Sequence, residues 1–138
     1  MNSKFINTLY FKEDNILGMI HGVHRANRLV QQELTISTKQ NNLTNNEFLL
    51  MIQIHKGFEK KIELSNKLLI KKQNINLIFK SLEEKNLIKD LNNKVILSEK
   101  GNELFQKVKN NISKKIINLF KKIDAKNMSG LINVVDNL

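Results

Sequence analysis

Apolar side chains recur along this chain at spacings that change from segment to segment. From Asn15 the pattern is helical: Ile16, Ile20, Val23, Asn27, Val30 and Leu34 step by four and three, a narrow seam with one polar break. The first dozen residues, MNSKFINTLYFK, have no clean period and read as a partly ordered arm. Lys39 to Leu43 is polar and predicts a loop. Thr44-Asn45-Asn46-Glu47 then has the spacing of a capping box, in which a Thr hydroxyl accepts from the third helical amide and the Glu reaches back. The helix it opens carries Phe48, Leu49, Met51, Ile52 and Ile54, and Gly57 supplies its stop. Residues 60–69 predict a short helix with Ile62, Leu64, Leu68 and Leu69 apolar. After a turn near Ile70, residues 72–86 resume the helical period through Ile75, Ile78, Phe79 and Leu82.

Two apolar-rich runs follow, Leu87–Leu91 and Lys94–Leu97, on either side of Asn92-Asn93. Asparagine tolerates left-handed backbone angles, so a two-residue hairpin turn is expected there. Ser98 is placed to cap the next helix, with Glu99 in its first turn. That helix repeats Phe105, Val108, Ile112, Ile116, Leu119 or Phe120, and Ile123, a second long seam. A tail helix carries Met128, Leu131, Ile132, Val135 and Leu138. The order is a long helix, three shorter helices, a hairpin, a long helix and a tail helix. One small core cannot cover two narrow seams of this length, so a second copy of the chain is expected to cover them. The residues expected at that homodimer interface are Ile16, Ile20, Val23, Ile112, Ile116, Leu119, Ile123, Leu131 and Val135.

Composition narrows the chemistry. A chain of 138 residues can bury a core without staples. Cysteine is absent, which removes disulfides, thiolate metal sites and cysteine nucleophiles. Proline is absent, so long helices can run uninterrupted. No stretch of about 18 apolar residues occurs, so no membrane span is expected. The first twenty residues carry acids and amides where a signal peptide would be apolar, and a cytoplasmic location is expected. The formal charge is +10, which points to a polyanionic partner. Residues 1–55 are nearly neutral at +1, whereas 56–100 carry +5 and 101–138 carry +4.

Two short helices joined by a tight turn and followed by a two-stranded hairpin make a winged helix-turn-helix. Its second helix has the diameter to enter a DNA major groove, and a dimer presents two such helices about one helical turn apart. The chain resembles the MarR family, the multiple antibiotic resistance regulators. The resemblance runs from LTNNEF at 43–48 through LSNKLLIKKQNINLIFKSLEEKNLI at 64–88 to VILSEKGNELF at 95–105. It implies a mainly α fold, a winged helix-turn-helix with long N- and C-terminal dimerisation helices. The expected division is an arm and dimerisation helix at 1–38, a DNA-binding domain at 43–100 and dimerisation helices at 101–138. It also implies a homodimeric transcription regulator, a repressor, binding double-stranded DNA at a pseudo-palindromic operator and released by a small aromatic or other apolar ligand. The sequence departs from the family pattern in four places. The wing is short and lacks arginine, Leu69 stands where glycine is usual, Lys71 replaces a serine cap, and Leu77 replaces a groove-facing arginine.

With Ile75, Ile78 or Phe79, and Leu82 facing the core, the opposite face of the second helix presents Lys72, Gln73, Asn76 and Lys80, with Asn74 and Leu77 at its margins. Amide side chains pair with adenine, so Gln73, Asn74 and Asn76 are expected to read bases, and Leu77 to touch a thymine methyl. Lys71, Lys72 and Lys80 are expected on phosphates, and Lys89, Asn92, Asn93 and Lys94 place the wing on the backbone. The resemblance places an effector pocket in a crevice lined by His24, Phe48, Met51 and His55. His21 and His24 have a chelating spacing, but no acidic partner sits at helical spacing beside them, so no metal or other cofactor is expected. No nucleophile elbow, phosphate loop, dinucleotide fingerprint or zincin motif occurs, and no enzymatic activity is expected. The rival expectation is a protein-interaction module with a vestigial winged helix and only non-specific DNA contact.

Overall fold

The computed structural model describes residues 13–138, and the N-terminal arm expected at 1–12 lies outside them. Six helices and one hairpin follow in order among the described residues: α1 (Glu13–Lys39), α2 (Asn45–His55), α3 (Lys61–Leu68), α4 (Lys72–Glu84), β1 (Ile88–Leu91), β2 (Lys94–Leu97), α5 (Glu99–Leu119) and α6 (Ala125–Asp136). This is the expected winged helix-turn-helix between long helices.

The local signals act as their chemistry dictates. Thr44 Oγ1 accepts from the Glu47 amide at 3.2 Å while Glu47 Oε2 accepts from the Thr44 amide at 2.8 Å, which closes the capping box of α2. Gly57 follows α2 with φ at +96°, a backbone angle that glycine adopts without strain. Asn92 and Asn93 both have positive φ, 52° and 64°, so the hairpin closes in a two-residue turn whose twist matches that of the strands. Its register pairs Ile88 with Leu97 and Leu91 with Lys94.

The core is continuous through the winged unit: Phe48, Leu50 and Met51 of α2, Leu64 of α3, Ile75, Phe79 and Leu82 of α4, then Ile88 and Val95 of the wing. Leu34 at the end of α1, with Phe105 and Val108 of α5, closes it from the other side. Phe48 and Phe105 stack with ring centroids 5.6 Å apart.

Both long seams fade along their length. On α1, Leu34 is buried and Val30 half-buried, but Ile20 and Val23 are exposed. On α5, Phe105 and Val108 are buried, Ile112 and Ile116 half-buried and Leu119 exposed; the helix ends there, so Ile123, expected on it, lies exposed in the turn before α6. Ile16 is half-buried, and Leu131 and Val135 on α6 are exposed, as is every apolar residue of that helix apart from half-buried Met128. Leu17, Met19, Ile117 and Val134 add further exposed apolar surface that the sequence pattern did not mark.

Ser98 and Gly101 hold α5 against the wing. Ser98 Oγ accepts from the Gly101 amide at 2.9 Å and donates to the Asn86 carbonyl at 2.7 Å, while the Ser98 amide donates to the Leu87 carbonyl at 3.0 Å. A Cβ at position 101 would stand 1.9 Å from that Leu87 oxygen. Gly101→Ala is therefore expected to destabilise the fold by about 3 kcal/mol, because the obstacle is backbone and cannot yield cheaply. A urea midpoint unchanged from that of the parent would contradict this.

Glu47 is buried and carries more than its cap. Its carboxylate accepts from Ser81 Oγ at 2.5 Å and from Lys85 Nζ at 2.8 and 2.9 Å. Burial pushes its pKa up, but the bonds from Lys85, Ser81 and the Thr44 amide, with the Lys85 charge, outweigh that and hold it below the ordinary 4.5. A carboxyl with a depressed folded pKa adds stability above its unfolded pKa, and that stability disappears as pH falls through the folded value. Glu47→Gln should cost about 2 kcal/mol near neutrality. The gap from the parent should narrow as the pH is lowered below about 4.5, which denaturant titrations at several pH values would measure.

Candidate nucleic-acid interface

The turn between α3 and α4 is three residues, Leu69 to Lys71, and its closure depends on Ser65. The Ile70 amide donates to the Ser65 carbonyl at 3.2 Å, and Ser65 Oγ donates to the Ile70 carbonyl at 2.7 Å. Leu69 takes the position usual for glycine and adopts its left-handed conformation, φ 52° and ψ 35°, with its side chain 93% exposed. A left-handed leucine costs about 1–2 kcal/mol, so the turn keeps its geometry at the expense of strain.

α4 is held from its C-terminal end. Lys85, its C-cap residue, binds Glu47 and donates to the Asn42 carbonyl at 2.8 Å. Lys100 of α5 donates to the Lys85 carbonyl at 3.0 Å. The N-terminal end is different. Lys71 makes no side-chain cap, and the first turn, Lys72-Gln73-Asn74, has no acid. Free amides, the positive end of the helix dipole and two lysines thus meet at one exposed place, an arrangement that favours phosphate.

Ile75, Phe79 and Leu82 are buried and Ile78 is half-buried, which settles the core side of α4. Lys71, Lys72, Gln73, Asn74, Asn76, Leu77 and Lys80 are all exposed. At about 100° per residue, Gln73, Leu77 and Lys80 fall within about 50° of the direction opposite the Ile75–Phe79–Leu82 stripe. Leu77 therefore stands at the centre of the exposed face, where the sequence pattern had it at the margin, Asn74 and Asn76 lie at its two edges, and Lys72 falls on the side nearer the core stripe. Leu77 is 67% exposed.

The wing projects beside this face with Lys89, Asn92, Asn93 and Lys94 exposed. It is braced from below: the Val95 amide donates to the Glu59 carbonyl at 3.0 Å, and Lys94 Nζ lies 2.9 Å from Glu59 Oε2. The hydrogen bond and the charge of Glu59 raise the Lys94 pKa above its ordinary value. Lys80 has a weaker neighbour, Glu84 at 4.0 Å, with both side chains largely exposed. Sequence reasoning missed Glu59 as the brace of the wing and Ser65 as the clasp of the turn. Neither role has a sequence signal, since each depends on a partner set by the tertiary fold.

Of the four residues expected to line an effector crevice, Phe48, Met51 and His55 share one side of α2, and Phe48 and His55 both lie against Phe105. Phe48 and Met51 are buried in the core, and His24 is exposed on α1. His55 lies against Phe105, ring centroids 4.6 Å apart, and borders a cleft of about 220 Å³ with Ile54, Glu59, Val95, Ile96, Leu97 and Asn102. His21 and His24 are both exposed, and among the described residues no three His, Cys, Asp or Glu side chains gather as a metal site. Among those residues, too, no helix is long and apolar enough to cross a membrane.

No protein-family model and no curated protein matches this sequence. Solved structures do match the fold. The MarR family protein Rv2887 of Mycobacterium tuberculosis, in complex with DNA, is 14% identical, with TM-score 0.69 over 85% of this chain and 94% of that one. The same protein with salicylic acid gives TM-score 0.65 over the same shares. A MarR family transcriptional regulator of Rhodococcus sp. RHA1 is 13% identical, with TM-score 0.74 over 91% of this chain and 93% of that one. The chain has the winged-helix fold of the MarR family, with its long flanking helices and two-stranded wing.

Proposed function

We propose that this protein is a homodimeric, DNA-binding transcription regulator of the MarR type, a repressor that occupies a pseudo-palindromic operator. The observation that carries the reading is the exposed face of α4, where amides and lysines line a helix standing clear of the core on a fold that Rv2887 uses on DNA. Gln73, Asn74 and Asn76 read base edges, Lys71, Lys72 and Lys80 meet phosphates, and Lys89, Asn92, Asn93 and Lys94 lay the wing along the backbone. The dimer forms through the exposed apolar ends of α1, α5 and α6, with Ile20, Val23, Leu119, Ile123, Leu131 and Val135 among the covered residues. The function is binding, with no catalytic step, and its place is the cytoplasm. Release follows from a small aromatic or other apolar ligand, by likeness to Rv2887 with salicylic acid. The cleft beside His55 is where we place that ligand, because Phe48 and Met51 are occupied in packing.

Footprinting across the upstream region of its own gene, at several salt concentrations, tests this reading. Two protected half-sites about ten base pairs apart are expected. With about eight to ten phosphates contacted per dimer, log Kd against log salt should have a slope magnitude of about 7 to 9. Smooth, salt-labile coating without half-sites would favour an interaction module that touches DNA non-specifically.

Asn76→Ala should cost about 1–3 kcal/mol on the operator and relax discrimination, while Lys72→Ala weakens every duplex alike. Equal losses for Asn76→Ala on operator and random DNA would refute the base-reading role of Asn76.

A further inference from the structure

The exposed face of α4 also dictates what kind of half-site it can read. Each side-chain chemistry on it has a preferred base edge. Carboxamides pair bidentately with adenine, apolar groups contact the C5 methyl of thymine, and guanine is read chiefly by arginine or lysine through O6 and N7. Gln73, Asn74 and Asn76 supply the amides. Both arginines of the chain, Arg25 and Arg28, lie on α1, so neither α4 nor the wing carries one. Lys80, the cation nearest the centre of the face, has Glu84 one turn further on at 4.0 Å.

Leu77 is the discriminating feature. It stands at the centre of the face, 67% exposed, on the side of the helix opposite the core stripe and with no place in the core. Among the groups displayed in a major groove, the thymine methyl is the apolar one that such a side chain can cover. We propose that each α4 reads a half-site built of A·T pairs, with Leu77 seated on a thymine C5 methyl and the flanking amides on adenines. This rests on the operator-binding reading above and specifies the duplex it applies to.

The test selects duplexes from a random pool with the full chain. The enriched duplex is then resynthesised with deoxyuridine in place of thymine, one position at a time, which removes a single methyl group. Half-sites with A·T at the major-groove positions are expected. One deoxyuridine at a contacted position of one half-site should weaken binding about fourfold, the effect of one buried methyl. That sensitivity should vanish in Leu77→Ala, which leaves the core untouched. Leu77→Arg should shift the enriched half-site to a guanine at the position that Leu77 covered. Guanine fixed at the contacted positions by the parent chain overturns the proposal, as does equal deoxyuridine sensitivity in the parent and Leu77→Ala. Enrichment of G·C half-sites would leave the regulator reading standing and remove only the A·T assignment. Enrichment of no duplex at all would remove both.

Discussion

The placement of α4 depends on one buried carboxylate. Glu47 sits at the start of α2, yet its two oxygens collect hydrogen bonds from the Thr44 amide, from Ser81 and from Lys85. Those groups belong to three places in the chain: the end of the α1–α2 turn, the last turn of α4 and its cap. Lys85 then extends the connection to the Asn42 carbonyl, and Lys100 fastens the Lys85 carbonyl to α5. A buried carboxylate is tolerated because every bond it needs is made, and Lys85 keeps partial access to water, with 28% of its side chain exposed. A capping signal visible in four consecutive residues thus also fixes where the C-terminal end of a helix 34 residues later must lie. The opposite end of that helix is left free to meet a ligand.

Polar interactions define a second boundary, between the winged unit and α1. Asn45 at the start of α2 donates to Thr35 Oγ1 and Gln31 Oε1 and accepts from Thr38 Oγ1. Lys115 of α5 lies 3.6 Å from Glu33 of α1. These contacts, with Leu34, Phe105 and Val108, hold the C-terminal part of α1 beside α5. Beyond them, towards Glu13 on α1 and towards α6, most apolar side chains are left exposed by the described residues, and a Cβ at Gly18 or Gly22 would meet none of them within 4 Å. Among the described residues, exposed apolar surface is therefore concentrated on these segments, away from the core.

Much of the fold was legible because local chemistry and tertiary packing agree. The Thr44–Glu47 box, the Asn92-Asn93 turn and the Ser98 cap each act within four residues, and each appears where the sequence put it. The apolar periods gave the core side of α4 as far as Ile75, Phe79 and Leu82, leaving the choice between Ile78 and Phe79 to the packing. The seams were legible as periodic stripes but not as gradients, because periodicity does not reveal where the neighbouring helix ends. The effector crevice was the weakest inference: Phe48 and Met51 at helical spacing serve the core, and the resemblance that suggested them carried no information on side-chain burial. Leu69 is the reverse case. A leucine stands where glycine is usual, yet the backbone keeps the left-handed geometry, since Ser65 and Ile70 clasp it from both sides.

The short wing illustrates how loss of a reading residue differs from loss of placement. Without arginine it has only lysines to offer a narrow minor groove, but it remains fixed in direction. The two-residue turn sets its twist, the Val95 amide ties β2 to Glu59, and Lys94 lies against the same carboxylate. That ion pair is largely exposed, so its bond is weakly held and a phosphate can compete for the ammonium. Lys89, on the other strand, engages no carboxylate among the described residues and needs no such exchange. In the proposed function the wing thus delivers charge beside α4 and leaves discrimination to that helix. In the function proposed above, a chain whose two arginines both lie on α1 draws sequence preference from amides and one leucine, and its affinity from lysines.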